Sequence, residues 1–388
     1  MYRYASESLV FKQGLVRCTK DGIPSFLGDA IPIIRSKDQR SIQAILSILT
    51  LGRLYTGVGD LVLDPIISDS NINDNITDAE IQDFVQNNDL LIDEVSQPEF
   101  FIRSSTGPSG PAMTSIIQEA KNLPDALYED IVRILPPNMI EVLDQCRTQE
   151  CYAIPSFQQD TGNHSIRKIT VVEDKEFKNR VIAIFDYWSQ LCLKPLHIKL
   201  MSKLKGMSQD CTYNQTGGVK AFLEKNKENF YSLDLEGATD RMPAALQLRL
   251  LSMMLSNEED STRYFRILND YPFDTKLGKV KYKVGQPMGA YSSWALMSLT
   301  HHLMVWTAMR RSKSHHNQYM LLGDDLVICG HEFAASYKVI VQDLGMNISS
   351  FKSLESKTSF EFAKRFYVKG QEWSPLPIGQ LKHAMTQY

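Results

Sequence analysis

The sequence predicts an α+β fold, an antiparallel sheet layer with helices packed on one face, and three observations predict it. Apolar, partly β-branched runs at 319–322 and 326–329 flank Gly323, Asp324 and Asp325, which reads as two strands joined by a tight hairpin turn. Strand patterns at 179–188, 229–235 and 361–368 alternate with helical ones. The run 291–310, "YSSWALMSLTHHLMVWTAMR", is long and periodic enough for a largely buried helix.

The elements follow in order. The segment "SDSNINDNITDAE" at 68–80 reads as an acidic, solvated surface connector leading into a helix. Asp69, Asn71, Asn73 and Glu80 match calcium-loop positions one, three, five and twelve, but position six is Asp74 where the sharp turn needs Gly, so a calcium loop is disfavoured. The loop "RSSTGPSGPAM" (103–113) breaks helix and strand alike and marks a boundary. Pro243 opens a helix over 243–256 at a favoured first-turn position, and 332–344 reads as helix.

Composition narrows the function classes. At 388 residues the chain can bury a large core. No apolar run reaches bilayer-spanning length, because His301 and His302 interrupt the best one. The first twenty residues hold Arg3, Lys12, Arg17 and Lys20 without the apolar stretch of a secretory signal. The six cysteines form no C-x-x-C pair and read as reduced, mostly buried thiols. Eleven acids and no Lys or Arg lie between Leu54 and Ile102; without them the formal charge of −3 becomes +8. Residues 164–205 carry nine basic residues against four acids. That asymmetry permits a polyanion partner for the body of the protein.

Four stretches carry chemistry together. Asp324 and Asp325 alone are ordinary turn residues. In "YSLDLEGATDRMP" (231–243), Asp234 ends an apolar strand and Asp240 precedes the Pro-initiated helix; alone, these read as a turn former and a helix cap. One strand-end Asp plus an Asp pair at a hairpin is, however, what two divalent ions need for phosphoryl transfer. In "VGQPMGAYSSWALMS" (284–298), Gly285, Pro287 and Gly289 form a loop feeding the long helix, with Ser292 and Ser293 at its start. Such backbone suits close approach to a sugar–phosphate chain; the plainer reading is a Gly-Pro turn with a Ser cap. In "VVEDKEFKNRVIAIFDYWSQLCLKPLH" (171–197), Lys175, Lys178 and Arg180 are donors suited to a triphosphate, with Tyr187, Trp188 and His197 as stacking surfaces. A solvated basic strand edge is the rival, strongest for Lys175.

The order of basic strand, Asp-x5-Asp, Gly-loop with Ser-Ser and Gly-Asp-Asp resembles the palm of viral RNA-dependent RNA polymerases. More closely, "SLDLEGATDRMP", "GQPMGAYSSWALMSLTHHLMVW" and "LLGDDLVI" resemble mitoviruses, capsidless RNA viruses of mitochondria, with "DYWSQLCLKPLH", "SSFKSLES" and "FEFAKRF" agreeing in order over about 165–370. The resemblance implies a right-hand polymerase that replicates a viral positive-strand RNA genome by two-metal nucleotidyl transfer. Its palm would be an antiparallel sheet with an RRM-like or ferredoxin-like core. Asp234 and Asp324 would be the principal Mg2+ ligands, with Mn2+ as an alternative ion and Asp325 assisting. Asp240, with Ser292 or Ser293, would read the ribose 2′-hydroxyl. Gly289 would line the nucleotide site, Lys178 and Arg180 would grip the triphosphate, and Lys352 would protonate departing pyrophosphate. A surface lysine is an equal reading of Lys352. His301 and His302 are expected to pack or bond within their helix.

The resemblance further implies RNA template, nascent strand and ribonucleoside triphosphates as partners, and a mitochondrial location, with the cytoplasm as alternative. It divides the chain into 1–163 (N-terminal region and part of the fingers), 164–228 (fingers with the basic motif), 229–370 (palm) and 371–388 (thumb remnant or truncated end). Two departures stand out. Leu296 and Met297 occupy a position where many relatives carry Asn, which leaves sugar recognition to the serines. Only 63 residues follow Asp325, so a reduced or missing thumb, supplied by another chain, is expected. A reverse transcriptase fits less well, since those enzymes carry an aromatic before the paired acids and a bulky gate where Asp240 stands. A truncated or domesticated RNA-binding protein without turnover is the alternative from another class.

Overall fold

The computed structural model describes residues 17–55, 57, 60–148, 165–174 and 178–378. Among them three sheets form. The first, in order β2-β1-β4-β5, joins β1 (Arg167–Asp174), β2 (Lys178–Phe185), β4 (Phe273–Thr275) and β5 (Gly278–Val280). The second, β6-β7-β3-β8, joins β3 (Phe230–Asp234), β6 (Tyr319–Leu322), β7 (Asp325–Cys329) and β8 (Leu354–Ser356), antiparallel throughout. The third contains β9 (Ser359–Phe362), β10 (Arg365–Val368) and β11 (Gln371–Glu372). Mixed α and β structure with antiparallel sheets is therefore observed.

The period-two alternation of strands decides how the second sheet is covered. Leu233, Tyr319, Leu321, Leu326 and Ile328 face the main core, where the buried helix Ser293–Arg311 lies. Their neighbours Phe230, Met320, Val327 and Cys329 face the other way, onto Phe222 of the helix Gln215–Lys225 and onto Phe360, Phe362 and Tyr367. The sheet is thus covered on both faces, which corrects the expectation of helices on one face only.

Three further differences have local causes. The run 361–368 is not one strand but two, β9 and β10, joined through Ala363 and Lys364, both at positive φ (+49° and +66°). Neither is a usual turn residue, so nothing in the sequence announced the hairpin. The strand expected over 179–188 stops at Phe185, because the Asp186 carboxylate accepts the Ser189 N–H at 2.7 Å and caps the helix Tyr187–Gly206. The acidic segment is exposed over most of 68–80, as expected, and is also tied down by ion pairs. Arg249 holds Asp74 and Asp78, Arg311 holds Glu80, Arg310 holds Asp83 and Lys283 holds Asp69. Arg241 donates to the carbonyls of Pro65, Ser68 and Asp69. The segment is therefore a strap pinned by basic side chains from remote parts of the chain, which pair with all five acids from Asp69 to Asp83.

The long helix begins at Ser293, and the helices expected at 243–256 and 332–344 run Ala244–Met254 and His331–Asp343. Among the described residues Cys192, Cys211 and Cys329 are buried free thiols. No described helix is long and apolar enough to cross a membrane.

Candidate active site

The hairpin between β6 and β7 turns in two residues, Gly323 and Asp324, with Leu322 paired to Asp325. Gly323 adopts φ +60°, and the indole of Trp294 packs where a side chain would begin, so glycine meets both demands. The fully buried His301 fixes this turn from below. Its Nδ1 lies 2.8 Å from the Gly323 carbonyl and its Nε2 lies 2.7 Å from the Tyr337 hydroxyl. A carbonyl can only accept, so Nδ1 carries the proton and Nε2 accepts from Tyr337. Burial lowers the imidazole pKa to about 4, keeping it neutral in this role. His302 bonds the Tyr319 hydroxyl and Asp210. Both histidines reach other elements rather than staying within their helix.

Strand β3 lies beside β7, and its register puts Asp234 directly opposite Asp325. Asp234 is fixed by its backbone: its N–H donates to Ser353 Oγ and its carbonyl accepts from the Ser349 N–H at 2.8 Å. The same 349–353 turn brings Lys352, whose Nζ lies 3.0 Å from Asp234 Oδ1. Burial raises the Asp324 carboxyl, repulsion from Asp234 adds to this, and Lys352 and Arg180 partly offset it. Burial pushes Asp325 up to about 7, with Asp324 and Asp234 acting in the same sense. Such crowding of acids is relieved by a cation, and hard carboxylate oxygens suit Mg2+. The three aspartates thus fit divalent ions as a donor set. Among the described residues no cluster of three His, Cys, Asp or Glu side chains is already drawn together for a metal, and Lys352 supplies the positive charge at Asp234.

A cleft of about 740 Å³ opens over the hairpin and is lined by Arg180, Asp240, Gly289, Ser293, Asp324 and Lys352 among the expected site residues. Asp240 lies within the short helix Ala238–Arg241, which follows Gly237 at φ +59°. Burial lifts its carboxyl to about 6, with Arg241 opposing. The Gly-loop wraps this turn: the Gly285 N–H donates to the Asp240 carbonyl at 3.0 Å and the Gln286 N–H to Thr239 at 2.9 Å. A side chain at Gly285 would collide with the same backbone. Gly289, at φ +127°, presses on the Ala183 carbonyl of β2, and the Ala183 N–H donates to Met288 at 2.7 Å. Both glycines are therefore required by contacts inside the protein. Gly289→Ala should cost about 1–3 kcal/mol from backbone strain alone and shift the loop off β2, read as a lowered denaturant midpoint together with lost site function.

The two serines separate. Both are buried: Ser293 borders the cleft but donates its hydroxyl to the Pro287 carbonyl at 2.6 Å, while Ser292 donates to the Leu193 carbonyl. Met297 lines the cleft at the departure noted in the sequence, with its sulfur accepting from Thr239 Oγ1. Arg180, exposed over half its side chain, pairs with Asp174 at 2.6 Å. Lys178 lies on β2, and the side chain of Lys178 and the whole of Lys175 fall outside the described residues.

A family model described as Mitovirus RNA-dependent RNA polymerase matches residues 93–388. The chain belongs to that family. The RNA-directed RNA polymerase of Cryphonectria parasitica mitovirus 1 is 37% identical over 219 residues, covering 55% of this chain and 27% of that protein. The chain thus matches about a quarter of that relative's length. Two uncharacterized mitochondrial proteins of Arabidopsis thaliana are also similar. One is 36% identical over 179 residues (44% of this chain, 71% of that protein), the other 29% over 157 residues (38% and 76%).

For a chain of the mitovirus polymerase family, the cleft holds residues that the motifs did not reveal. Phe101, Arg103 and Ser105 line it from the N-terminal segment and Gln190 from the helix Tyr187–Gly206, beside His197, which was expected as a stacking surface. Arg103 is locked in place by Ser115 and Glu119, and Glu119 also accepts the Tyr187 N–H. The loop expected as a boundary is stitched to the start of the helix Tyr187–Gly206 by that network. Arg103 is the first basic residue after the acidic stretch, and that was the one available signal.

Proposed function

We propose that this chain catalyses template-directed RNA synthesis, in which a 3′-hydroxyl attacks the nucleotide α-phosphorus in line and pyrophosphate leaves. The observation that carries this reading is the cross-strand pairing of Asp234 with Asp325 beside Asp324, over a cleft shared with Arg180, Asp240 and Lys352, in a chain of this family. Residues 229–370 would be the palm and 164–228 the fingers. Asp234, Asp324 and Asp325 would hold Mg2+ or Mn2+, which when bound polarises the attacking oxygen and stabilises charge on the leaving one.

The protein's own groups do the remaining work. Arg180 and Lys178 hold the triphosphate, with Arg180 leaving Asp174 to do so. Asp240, largely ionised at neutral pH, accepts a hydrogen bond from the ribose 2′-hydroxyl, with Ser293 beside it. Lys352 donates a proton to departing pyrophosphate. RNA template, nascent strand and ribonucleotides are the partners. Neither comparison supports a second chain supplying a thumb, and we do not propose one. The Arabidopsis relatives support a mitochondrial location. A binding protein without turnover is not favoured, since it has no physical reason to keep like charges clustered.

Purified protein should incorporate labelled ribonucleotides on an RNA template with Mg2+ or Mn2+, and no incorporation under either ion would sink the reading. Asp240→Ala should reduce the preference for ribo- over deoxyribonucleotides by about tenfold or more, the worth of one lost hydrogen bond to a charged group. Competition between the two nucleotide types on one template measures it.

A further inference from the structure

The proton donor and the ion site of the proposed reaction meet at one carboxylate. Lys352 Nζ lies 3.0 Å from Asp234 Oδ1, with 55% of the lysine side chain exposed and 22% of the aspartate's. The contact is built into the backbone, because the 347–353 turn is laced to the end of β3. The Glu236 N–H donates to the Asn347 carbonyl at 2.9 Å, and the Ser349 N–H donates to the Asp234 carbonyl at 2.8 Å. The Asp234 N–H donates to Ser353 Oγ at 3.3 Å. The lysine backbone is thereby held beside Asp234, while its flexible four-carbon stem leaves the ammonium free to turn. The two arginines that line the cleft are engaged elsewhere, Arg180 with Asp174 and Arg103 with Glu119. Among the described residues, Lys352 is therefore the one cation of the cleft bonded directly to the aspartate trio.

We propose that Lys352 competes with a divalent ion for Asp234, so that this lysine sets the ion affinity of the site and is released toward the triphosphate as the ion binds. The inference rests on the polymerase reading and adds to it an order of events. Magnesium binds oxygen at about 2.0–2.1 Å. An ammonium at hydrogen-bond distance takes up part of the same carboxylate and repels the second positive charge. Lys352 lines the same cleft as Arg180, so the freed ammonium stays within the cavity that the triphosphate enters. Linkage makes the coupling reciprocal: the free energy by which Lys352 weakens the ion is the free energy by which the ion loosens Lys352 from Asp234. The lysine thus answers part of the crowded negative charge until the site is loaded, and serves as a proton donor afterwards.

The test titrates MgCl2 into the whole chain by calorimetry. Lys352→Met removes the charge and keeps most of the stem, so Mg2+ affinity should rise about tenfold, the worth of one like charge a few ångströms from the ion in a partly solvated site. Incorporation should fall in the same variant. Tighter ion binding with slower synthesis is a pair of opposite signs that the loss of a proton donor alone does not produce. Lys352→Arg keeps the charge and should hold Mg2+ affinity at or below that of wild type. With Asp234→Asn already present, Lys352→Met should tighten the ion by no more than about threefold, because the contested carboxylate is gone. Unchanged or weaker Mg2+ binding in Lys352→Met overturns the competition. So does equal tightening by Lys352→Arg, since the shape of the side chain rather than its charge would then be responsible. Tighter Mg2+ binding in Lys352→Met, in a chain whose wild type synthesises no RNA, would sink the polymerase reading and leave the competition standing. RNA synthesis by wild type with unaltered Mg2+ affinity in Lys352→Met would do the reverse.

Discussion

Asp324→Asn is expected to lower nucleotide incorporation at least about a thousandfold, the scale on which removal of one electrostatic group acts in a preorganised site. Asparagine keeps the shape of aspartate, so the hairpin and its His301 anchor survive while one negative charge disappears. Divalent-ion affinity, read by calorimetry, should fall with it. The pH dependence follows from the neighbouring carboxyl. Asp325 ionises near 7 in the folded chain, well above an ordinary aspartate at about 3.9. Ion binding needs both acids charged, so affinity should climb with pH through about 7 and level off above it. The consequence for stability has the opposite sign. A carboxyl whose pKa is raised by folding favours the folded state most below its unfolded value, and that contribution is lost as pH rises from about 4 through about 7. Thermal unfolding without divalent ions should show that loss, and saturating Mg2+ should shrink it. Incorporation within tenfold of wild type in Asp324→Asn would overturn the assignment.

What the sequence could show, and what it could not, follows from the range of the forces involved. The Gly-Asp-Asp hairpin was legible because strand patterns and turn chemistry act over a few residues. The convergence of Asp234 on that hairpin was expected from the chemistry of the acids, but its position directly opposite Asp325, on strands about ninety residues apart, is set by sheet register. Phe101 reaches the cleft through the Tyr187 hydroxyl, and no local pattern marks such a contact. Ser292 and Ser293 look equivalent in the chain, yet at the helix start one hydroxyl bonds the Leu193 carbonyl of another helix and the other the Pro287 carbonyl of the Gly-loop. The acidic stretch shows another limit. Segment 68–80 is the exposed connector expected, but the basic residues that answer Asp69 to Asp83 lie remote in sequence, from Arg249 to Arg311. Charge counting erred for 164–205, because Arg167, one of the nine basic residues there, is fully buried and offers nothing to a polyanion.

Arg167 instead supports the second large expected effect, on stability. Its guanidinium lies over the rings of Phe185, Tyr271 and Phe273 at 4.5–5.7 Å from their centroids. It donates to Ser189 Oγ at 3.0 Å and to the Ile267 carbonyl at 2.6 Å. Its Nε stands 3.7 Å from the Asp186 carboxylate, which is also fully buried. Burial lowers its pKa to about 10, so it stays charged at neutral pH. This one side chain joins β1, β2, β4 and the helices on either side of them. Arg167→Met fills similar volume but leaves Asp186 charged without its partner, at a cost of about 3–5 kcal/mol. Adding Asp186→Asn removes the stranded charge while keeping a side-chain oxygen to cap Ser189. The double variant should therefore be more stable than Arg167→Met alone, although it carries one substitution more. Denaturant unfolding of the two single variants and the double one decides the matter. A double variant as unstable as the sum of the singles would mean that the aromatic cage, rather than the ion pair, is what Arg167 holds together.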